Sequence, residues 1–260
     1  MKNLSRARLT GLVTAALLAA ASLTACGGAS NGGDAKSGQD TVIRVFAAAS
    51  LTESFTSLAR TFESENPGTK VELSFGPSSG LAEQIANGSP ADVFASASPK
   101  NMDSLSGKVS SPKDFATNSL EIAVPKADPG KIGSFADLAR PGVKVALCQA
   151  QVPCGATAAQ AIAKAGLKIT PVTQEVDVKS VLTKVTLGEV DAGIVYVTDV
   201  KAAGSKVRGI TIPAAQNAST TYPIATVTGT KAQQTATDFV DLVTSAQGEA
   251  VLAKAGFEKP

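Results

Sequence analysis

The chain of 260 residues contains no histidine and no tryptophan, and aromatic residues make up only 4% of it. Without histidine, it lacks the side chain that most often serves as a general base and as a metal ligand. With so few aromatic rings, it also lacks the stacking platforms on which single-stranded nucleic acids bind. The composition therefore argues against a nucleic-acid-binding protein, a histidine-dependent enzyme and a resident metal centre.

An excess of charge of one sign is also missing. The 24 basic residues face 22 acidic ones, which gives a formal net charge of +2 at pH 7. Three of the basic residues, Lys2, Arg6 and Arg8, lie close to the N-terminus, so the rest of the chain is close to neutral. A bound anion would therefore have to be recognised by local backbone dipoles rather than by the overall charge.

The N-terminal segment has the pattern of a secretion signal. After the three basic residues, positions 9–21 form an apolar run that is too short to span a bilayer comfortably. The run leads into Leu23-Thr24-Ala25-Cys26, which resembles the lipobox of bacterial lipoproteins. We therefore expect residues 1–25 to be a signal peptide and the glycine-rich residues 26–40 to be a flexible tether with lipid on Cys26. An ordinary secretion signal with an unmodified Cys26 is the alternative.

Beyond this segment the sequence has only two cysteines, Cys148 and Cys154, which lie six positions apart. In an oxidising compartment we expect them to form a disulfide. The alternative is a pair of reduced, buried thiols. A closed zinc site is disfavoured, because two cysteines without histidine do not complete its shell of ligands.

Short β-branched runs alternate with longer segments of helical periodicity from position 41 onward, which predicts an α/β fold with mostly parallel strands and helices on both faces. Two small sheets fit this pattern better than one. The predicted strands are 42–47, 70–75, 92–95, 120–125, 143–148, 192–197 and 224–227. The predicted helices are 51–65, 81–87, 156–165, 179–187 and 233–245.

Three predicted strand-to-helix loops share small, hydroxylated residues: Ala47–Ser50, Gly76–Gly80 and Val152–Thr157. Ligands of open α/β sheets bind where such loops enter helices, and the unpaired N–H groups there can hold an anion. These loops contain no lysine, arginine or aromatic residue. They therefore indicate a neutral, donor-rich site for a fully ionised oxyanion, although Ser50 or Ser78 alone could simply be a helix N-cap.

At these loops the sequence resembles the periplasmic molybdate-binding proteins of ABC transporters. The resemblance implies a two-lobe, type II periplasmic binding protein fold, in which two mixed, mostly parallel sheets flanked by helices are joined by two hinge strands. The ligand of such a fold lies in the cleft between the lobes. We place lobe I at residues 41–120 plus 222–260 and lobe II at residues 121–221. The likeness is carried by Val45–Thr52, Ser78–Ala82, Pro90–Phe94, Val152–Gly155, Val176–Val178, Gly193–Tyr196 and Tyr222–Ile224.

By motif, the resemblance places the hydroxyls of Ser50 and Ser78 on the oxyanion from lobe I. From lobe II it places there the backbone N–H groups of Cys154 and Val178 and the hydroxyl of Tyr196. The alternative roles of these three are a disulfide partner, a core residue at a helix start and an interlobe packing residue. At position 154 the family commonly has a small aliphatic residue, and this sequence has cysteine. The backbone N–H group can donate with either side chain.

Asp92 also stands in a segment that carries the resemblance. A carboxylate repels an oxyanion, so we interpret Asp92 as structural and not as a site residue.

Together with the lipobox-like segment at Cys26, the resemblance implies an extracytoplasmic lipoprotein that binds molybdate, and tungstate as well, and delivers it to the permease of an ABC transporter. We expect a monomer that has no cofactor and no enzymatic activity. The nearest alternative is the same fold with sulfate or phosphate as its ligand. An amino acid or ferric complex fits less well, because no arginine clamp or tyrosine cluster is evident.

Two other classes of protein fit the sequence less well than a binding protein does. A hydrolase would need a base beside Ser50 or Ser78, and the sequence provides neither a histidine nor a suitably placed lysine. A structural adhesion module would leave the three hydroxyl-rich loops unexplained.

Overall fold

The computed structural model describes residues 41–260, and the predicted signal peptide, Cys26 and the tether lie outside the described residues. Within them the chain forms nine strands and eight α-helices. The strands are β1 (Thr41–Ala48), β2 (Thr69–Gly76), β3 (Val93–Ala95), β4 (Val109–Pro125), β5 (Val145–Cys148), β6 (Thr173–Glu175), β7 (Ala192–Tyr196), β8 (Val207–Thr211) and β9 (Ser219–Val227). The helices are α1 (Thr52–Glu65), α2 (Ser78–Ala86), α3 (Pro99–Asp103), α4 (Pro153–Lys164), α5 (Val178–Thr186), α6 (Val197–Ala203), α7 (Gln233–Thr244) and α8 (Ala246–Ala255).

The strands fall into two groups that are joined through β4. The hydrogen-bonded order is β2-β1-β3-β9-β4-β7-β5-β6, and β8 also pairs with β4. In one group β1 runs parallel to β2 and β3, and in the other β5 runs parallel to β6 and β7. The long strands β4 and β9 are antiparallel to each other. The α/β prediction is therefore confirmed, and the structure adds that hydrogen bonding continues from one group of strands into the other.

Buried side chains divide in the same way. One hydrophobic core draws its residues from positions 120–218, and two others draw theirs from positions 43–116 and 222–257. In the larger of these last two cores, the rings of Phe62 and Phe239 meet edge to face with centroids 5.4 Å apart. Burying one such side chain contributes about 1.5–3 kcal/mol. The predicted division into two lobes stays a proposal, and this grouping of the cores supports it.

The sequence patterns did not predict the whole antiparallel connection between the two groups of strands. Strand β4 begins at Val109, well before the predicted start at position 120, and its first residues are mostly exposed. Its pairing with β9 contains two register shifts, so the side chains do not alternate regularly between the two faces. Strands β6 and β8 and helices α3, α6 and α8 were also not predicted, whereas the other elements lie within a few residues of their predicted positions.

Among residues 41–260, no helix has both the length and the apolar character needed to cross a membrane.

Candidate functional site

A small cavity lies where the carboxyl ends of several strands meet the N-termini of α2, α4 and α5. Its volume is about 20 Å³, and a single water molecule needs about 10–15 Å³. In this conformation the cavity therefore suits a ligand of a few atoms and is too small for a sugar or an amino acid. The lining residues are Ala48, Ala49, Ser50, Gly76, Pro77, Ser78, Ala97, Val152, Pro153, Cys154, Asp177, Val178 and Tyr196.

All five residues predicted from the sequence line this one cavity. Ser50 and Ser78 reach it from the β1–β2 side, and Cys154, Val178 and Tyr196 reach it from the β5–β7 side. Each of them is buried. The structure thus brings together residues that stand as far apart in the chain as positions 50 and 196.

Asp92 does not line the cavity. It directly precedes β3, at the opposite end of that strand, and accepts hydrogen bonds from the backbone N–H of Arg44 at 2.6 Å and from the hydroxyl of Thr230. Its carboxylate therefore connects neighbouring segments of the chain, in agreement with the structural role expected for it.

Neither predicted serine caps a helix. Ser50 lies in a short 3₁₀ turn between β1 and α1, and its Oγ is 2.8 Å from the hydroxyl of Tyr222. Ser78 is the first residue of α2, and its Oγ accepts a hydrogen bond of 2.9 Å from the backbone N–H of Ala97. Because this bond uses only a lone pair of Ser78, its own hydroxyl hydrogen stays available to a ligand.

Two helices direct their N-termini at the cavity from the other side. Helix α4 begins at Pro153 and α5 begins at Val178. The N–H groups of Cys154 and Val178 stand in the first turns, where a helix provides no acceptor and its dipole favours negative charge. Asp177 is also at the wall, but its carboxylate accepts from the N–H of Ser180 at 2.8 Å and so caps α5.

The start of α4 is held firmly in place. Cys148, the last residue of β5, forms the predicted disulfide with Cys154. Residue 155 must be glycine, because a Cβ atom there would lie 1.9 Å from the carbonyl oxygen of Gln149. The covalent link and the close approach of the two backbones together fix the direction of the Cys154 N–H group.

Tyr196 contributes a buried hydroxyl that has no hydrogen-bond partner among the described residues. The hydroxyls of Thr157 and Tyr222 are its near neighbours, but neither makes a hydrogen bond of standard geometry with it. Burial raises the pKa of Tyr196 well above its usual value, so the hydroxyl stays protonated. A buried donor without an acceptor costs about 1–3 kcal/mol, so this hydroxyl is available to an acceptor that enters the cavity.

The described residues that line the cavity include no lysine or arginine. Lys179 follows the lining residue Val178 in α5. Its Nζ lies 2.8 Å from Glu53 Oε1 and 3.1 Å from Asp199 Oδ1. Both carboxylates neutralise this ammonium group, so the hydrogen-bond donors that line the cavity are neutral, and the one charged side chain of the described lining is Asp177, whose carboxylate caps α5.

Sequence reasoning missed two features around the site. Tyr222 was noted only as part of the family resemblance, and nothing in the sequence indicates that its hydroxyl meets Ser50. The ion pairs that connect Lys179 with Glu53 and Asp199 join three separate helices, α5, α1 and α6. No local pattern reveals such contacts.

Comparison with known proteins shows the family of this chain. Residues 43–258 match the family model of the bacterial extracellular solute-binding proteins. The molybdate-binding protein ModA of Mycobacterium tuberculosis is 41% identical over 257 residues, which cover 96% of this chain and 97% of that protein. This chain belongs to the ModA family of bacterial extracellular solute-binding proteins. The resemblance on which the site prediction depends is therefore confirmed.

Solved structures support the ModA fold. The periplasmic molybdate-binding protein of Azotobacter vinelandii matches with a TM-score of 0.75 and 22% identity, over 84% of this chain and 99% of its own. The sulfate-binding protein SubI of Mycobacterium tuberculosis matches with a TM-score of 0.71 and 21% identity, over 84% of this chain and 87% of its own. At these identities the matches show that the ModA fold is shared, and they leave the ligand to be argued from the site.

Proposed function

We propose that this chain binds molybdate, and tungstate as well, in the cavity between α2, α4 and α5, and delivers it to the permease of an ABC transporter. One observation carries the proposal: hydrogen-bond donors from both groups of strands converge on a small cavity, and the residues among 41–260 that line it include no cationic side chain. The ModA relatives, which are named for molybdate binding, support the choice of ligand.

The donors can hold a doubly charged ion without a counter-charge. A hydrogen bond to a charged group contributes about 1.5–3 kcal/mol. The hydroxyls of Ser50, Ser78 and Tyr196 and the N–H groups of Cys154 and Val178 make five such bonds available. These contributions are already net of the hydrogen bonds that the ion exchanges with water, so five of them can offset the freedom that the ion loses on binding and allow tight binding.

The same donors discriminate among oxyanions. Hydrogen phosphate carries a proton and needs an acceptor, and the five predicted groups act as donors. Sulfate is fully ionised but has shorter bonds than molybdate, so a cavity that fits molybdate holds sulfate loosely. Molybdate and tungstate are nearly equal in size, and we expect the site to accept both.

Delivery to the permease follows if groups of both lobes bind the same ion. An ion that binds groups on both sides shifts the protein toward its closed form by as much as those contacts favour closure. The closed form then reports an occupied site to the permease. In this proposal the protein is a monomer without cofactor or catalysis, and lipid on Cys26 keeps it at the outer face of the cell membrane.

Calorimetric titration of the purified full-length chain tests the ligand. We expect tight binding of molybdate and tungstate and much weaker binding of sulfate and phosphate. Ser50→Ala and Ser78→Ala should each weaken molybdate binding about tenfold or more, because each removes a hydrogen bond to a charged group.

Ser64→Ala is the matched control, since Ser64 is an exposed residue of α1 whose hydroxyl bonds only to the carbonyl of Thr61. It should leave the affinity unchanged. Tight binding of sulfate in place of molybdate would establish the alternative ligand, and no binding of any of the four ions would refute an oxyanion site.

A further inference from the structure

Tyr222 lies behind the cavity and contacts two of its predicted donors. It is a fully buried residue of β9, and its hydroxyl is 2.8 Å from Ser50 Oγ. Its ring also packs edge to face against the ring of Tyr196, with centroids 6.3 Å apart. On its other side Phe257 packs against it at 5.2 Å. Tyr222 itself does not line the cavity, so it acts on a ligand only through these neighbours.

The ligand sets the direction of the hydrogen bond between the two hydroxyls. A fully ionised oxyanion only accepts, and the hydroxyl of Ser50 has a single hydrogen. When that hydrogen points at the ion, the oxygen of Ser50 is left as an acceptor, and Tyr222 must donate to it. The amide Nδ2 of Asn118, 3.5 Å from the Tyr222 oxygen, favours the same direction because it only donates.

Asn118 is anchored by a second, shorter bond, in which its Nδ2 donates to the hydroxyl of Thr198 at 2.8 Å. The donors are therefore ordered from Asn118 to Tyr222, from Tyr222 to Ser50 and from Ser50 to the cavity. Hydrogen bonds in such a chain polarise and strengthen one another.

On the basis of the proposed function, we propose that Tyr222 is a positioning residue that fixes Ser50 as a hydrogen donor toward the ligand and so favours a fully ionised oxyanion. A ligand that carries its own proton would need Ser50 to turn its hydrogen toward Tyr222, and the donors of Tyr222 and Asn118 oppose that turn. Burial raises the pKa of Tyr222 well above its usual value, so the phenol keeps the proton that it donates.

A double-mutant cycle in the full-length chain tests this role, with molybdate as the probe. Tyr222→Phe keeps the ring and removes the hydroxyl, and we expect it to weaken molybdate binding about tenfold. In a Ser50→Ala background the same change should have almost no further effect, because the group that Tyr222 orients is gone.

The matched control is the same cycle with Ser78→Ala, since Ser78 receives its hydrogen bond from Ala97 and not from Tyr222. In that cycle the factors by which Tyr222→Phe and Ser78→Ala weaken molybdate binding should multiply. The unfolding temperature of the ligand-free Tyr222→Phe variant checks that the fold is retained.

The outcomes separate this inference from the proposed function. Wild-type affinity in Tyr222→Phe would overturn the inference alone. An equal loss in the Ser50→Ala and Ser78→Ala backgrounds would also overturn it, because a general structural role produces that result. Absence of molybdate binding by the unsubstituted protein would instead overturn the proposed function and, with it, the role of Tyr222.

Discussion

Replacing Lys179 with methionine should lower the free energy of unfolding by about 3 kcal/mol near pH 8, because the change leaves a buried carboxylate without its cation. Asp199 is fully buried and lies 3.1 Å from Lys179 Nζ. Its other oxygen accepts the N–H of Tyr196 at 3.1 Å, which fixes it at the start of α6. The carboxylate therefore cannot turn to solvent when the ammonium group is removed.

The loss of stability in Lys179→Met should shrink as the pH falls. Burial raises the pKa of Asp199 to about 6, although Lys179 opposes the shift. Burial alone would lower the pKa of Lys179, but the charges of Asp199 and Glu53 raise it above its usual value. Methionine at position 179 removes the opposing charge, so the pKa of Asp199 rises further.

The sign of the effect follows from proton linkage. A carboxylate whose pKa is higher in the folded than in the unfolded state lowers stability as the pH rises through the folded pKa. Below the unfolded pKa both forms are protonated and the difference vanishes. Denaturant unfolding of Lys179→Met and the unsubstituted protein at about pH 8 and about pH 5 should therefore show a smaller difference in acid.

Glu53→Gln is the matched control, because it removes the other carboxylate that contacts Lys179. The side chain of Glu53 is 52% exposed, and exposed ion pairs contribute at most about 1 kcal/mol. We expect a small loss of stability with little dependence on pH. Equal losses in Lys179→Met at both pH values would show that Asp199 is not the group left unpaired.

The main elements of the fold could be predicted because their causes are local. The β-branched runs and the helical periodicity identify most strands and helices, and the absence of basic residues from three loops indicates a neutral anion site. The loops limit the candidate hydroxyl groups to a few residues, and the family resemblance was needed to select Ser50 and Ser78 among them. Cys154, Val178 and Tyr196 required the family resemblance, because a backbone donor or a single tyrosine has no distinctive sequence pattern.

The contacts that organise the site could not be predicted, because they join distant positions. Ser50 and Tyr222 are 172 residues apart, and Glu53 and Lys179 are 126 apart. No periodicity or spacing relates such positions before the fold brings them together. The early start of β4 was missed for a different reason, since exposed residues with register shifts lack the alternation that identifies a strand.

Gly155→Ala should reduce both stability and ligand binding. A methyl group at this position would lie 1.9 Å from the carbonyl oxygen of Gln149 and 2.9 Å from that of Cys148. Both contacts are with backbone, so no side-chain rotation relieves them, and overpacking of this kind costs about 3 kcal/mol. The start of α4 must move away from the end of β5, although the disulfide at Cys154 restrains that movement.

This displacement acts directly on the predicted donor, because the N–H group of Cys154 belongs to the same helical turn. A donor moved by a few tenths of an ångström or more makes a poorer hydrogen bond to the ion. We therefore expect Gly155→Ala to weaken molybdate binding about tenfold. Thermal unfolding without ligand and calorimetric titration with molybdate measure the two effects separately.

Gly80→Ala provides the matched control from the facing helix. Gly80 lies in the first turn of α2, two positions after Ser78, but a Cβ atom there would meet only Pro77 Cγ at 3.4 Å. Alanine also favours the helix more than glycine does, by about 1 kcal/mol at an interior position. Gly80→Ala should therefore keep full affinity and equal or greater stability. If Gly155→Ala behaved in the same way, the start of α4 would have to be free to shift, and its N–H groups could not be the fixed donors inferred from the structure.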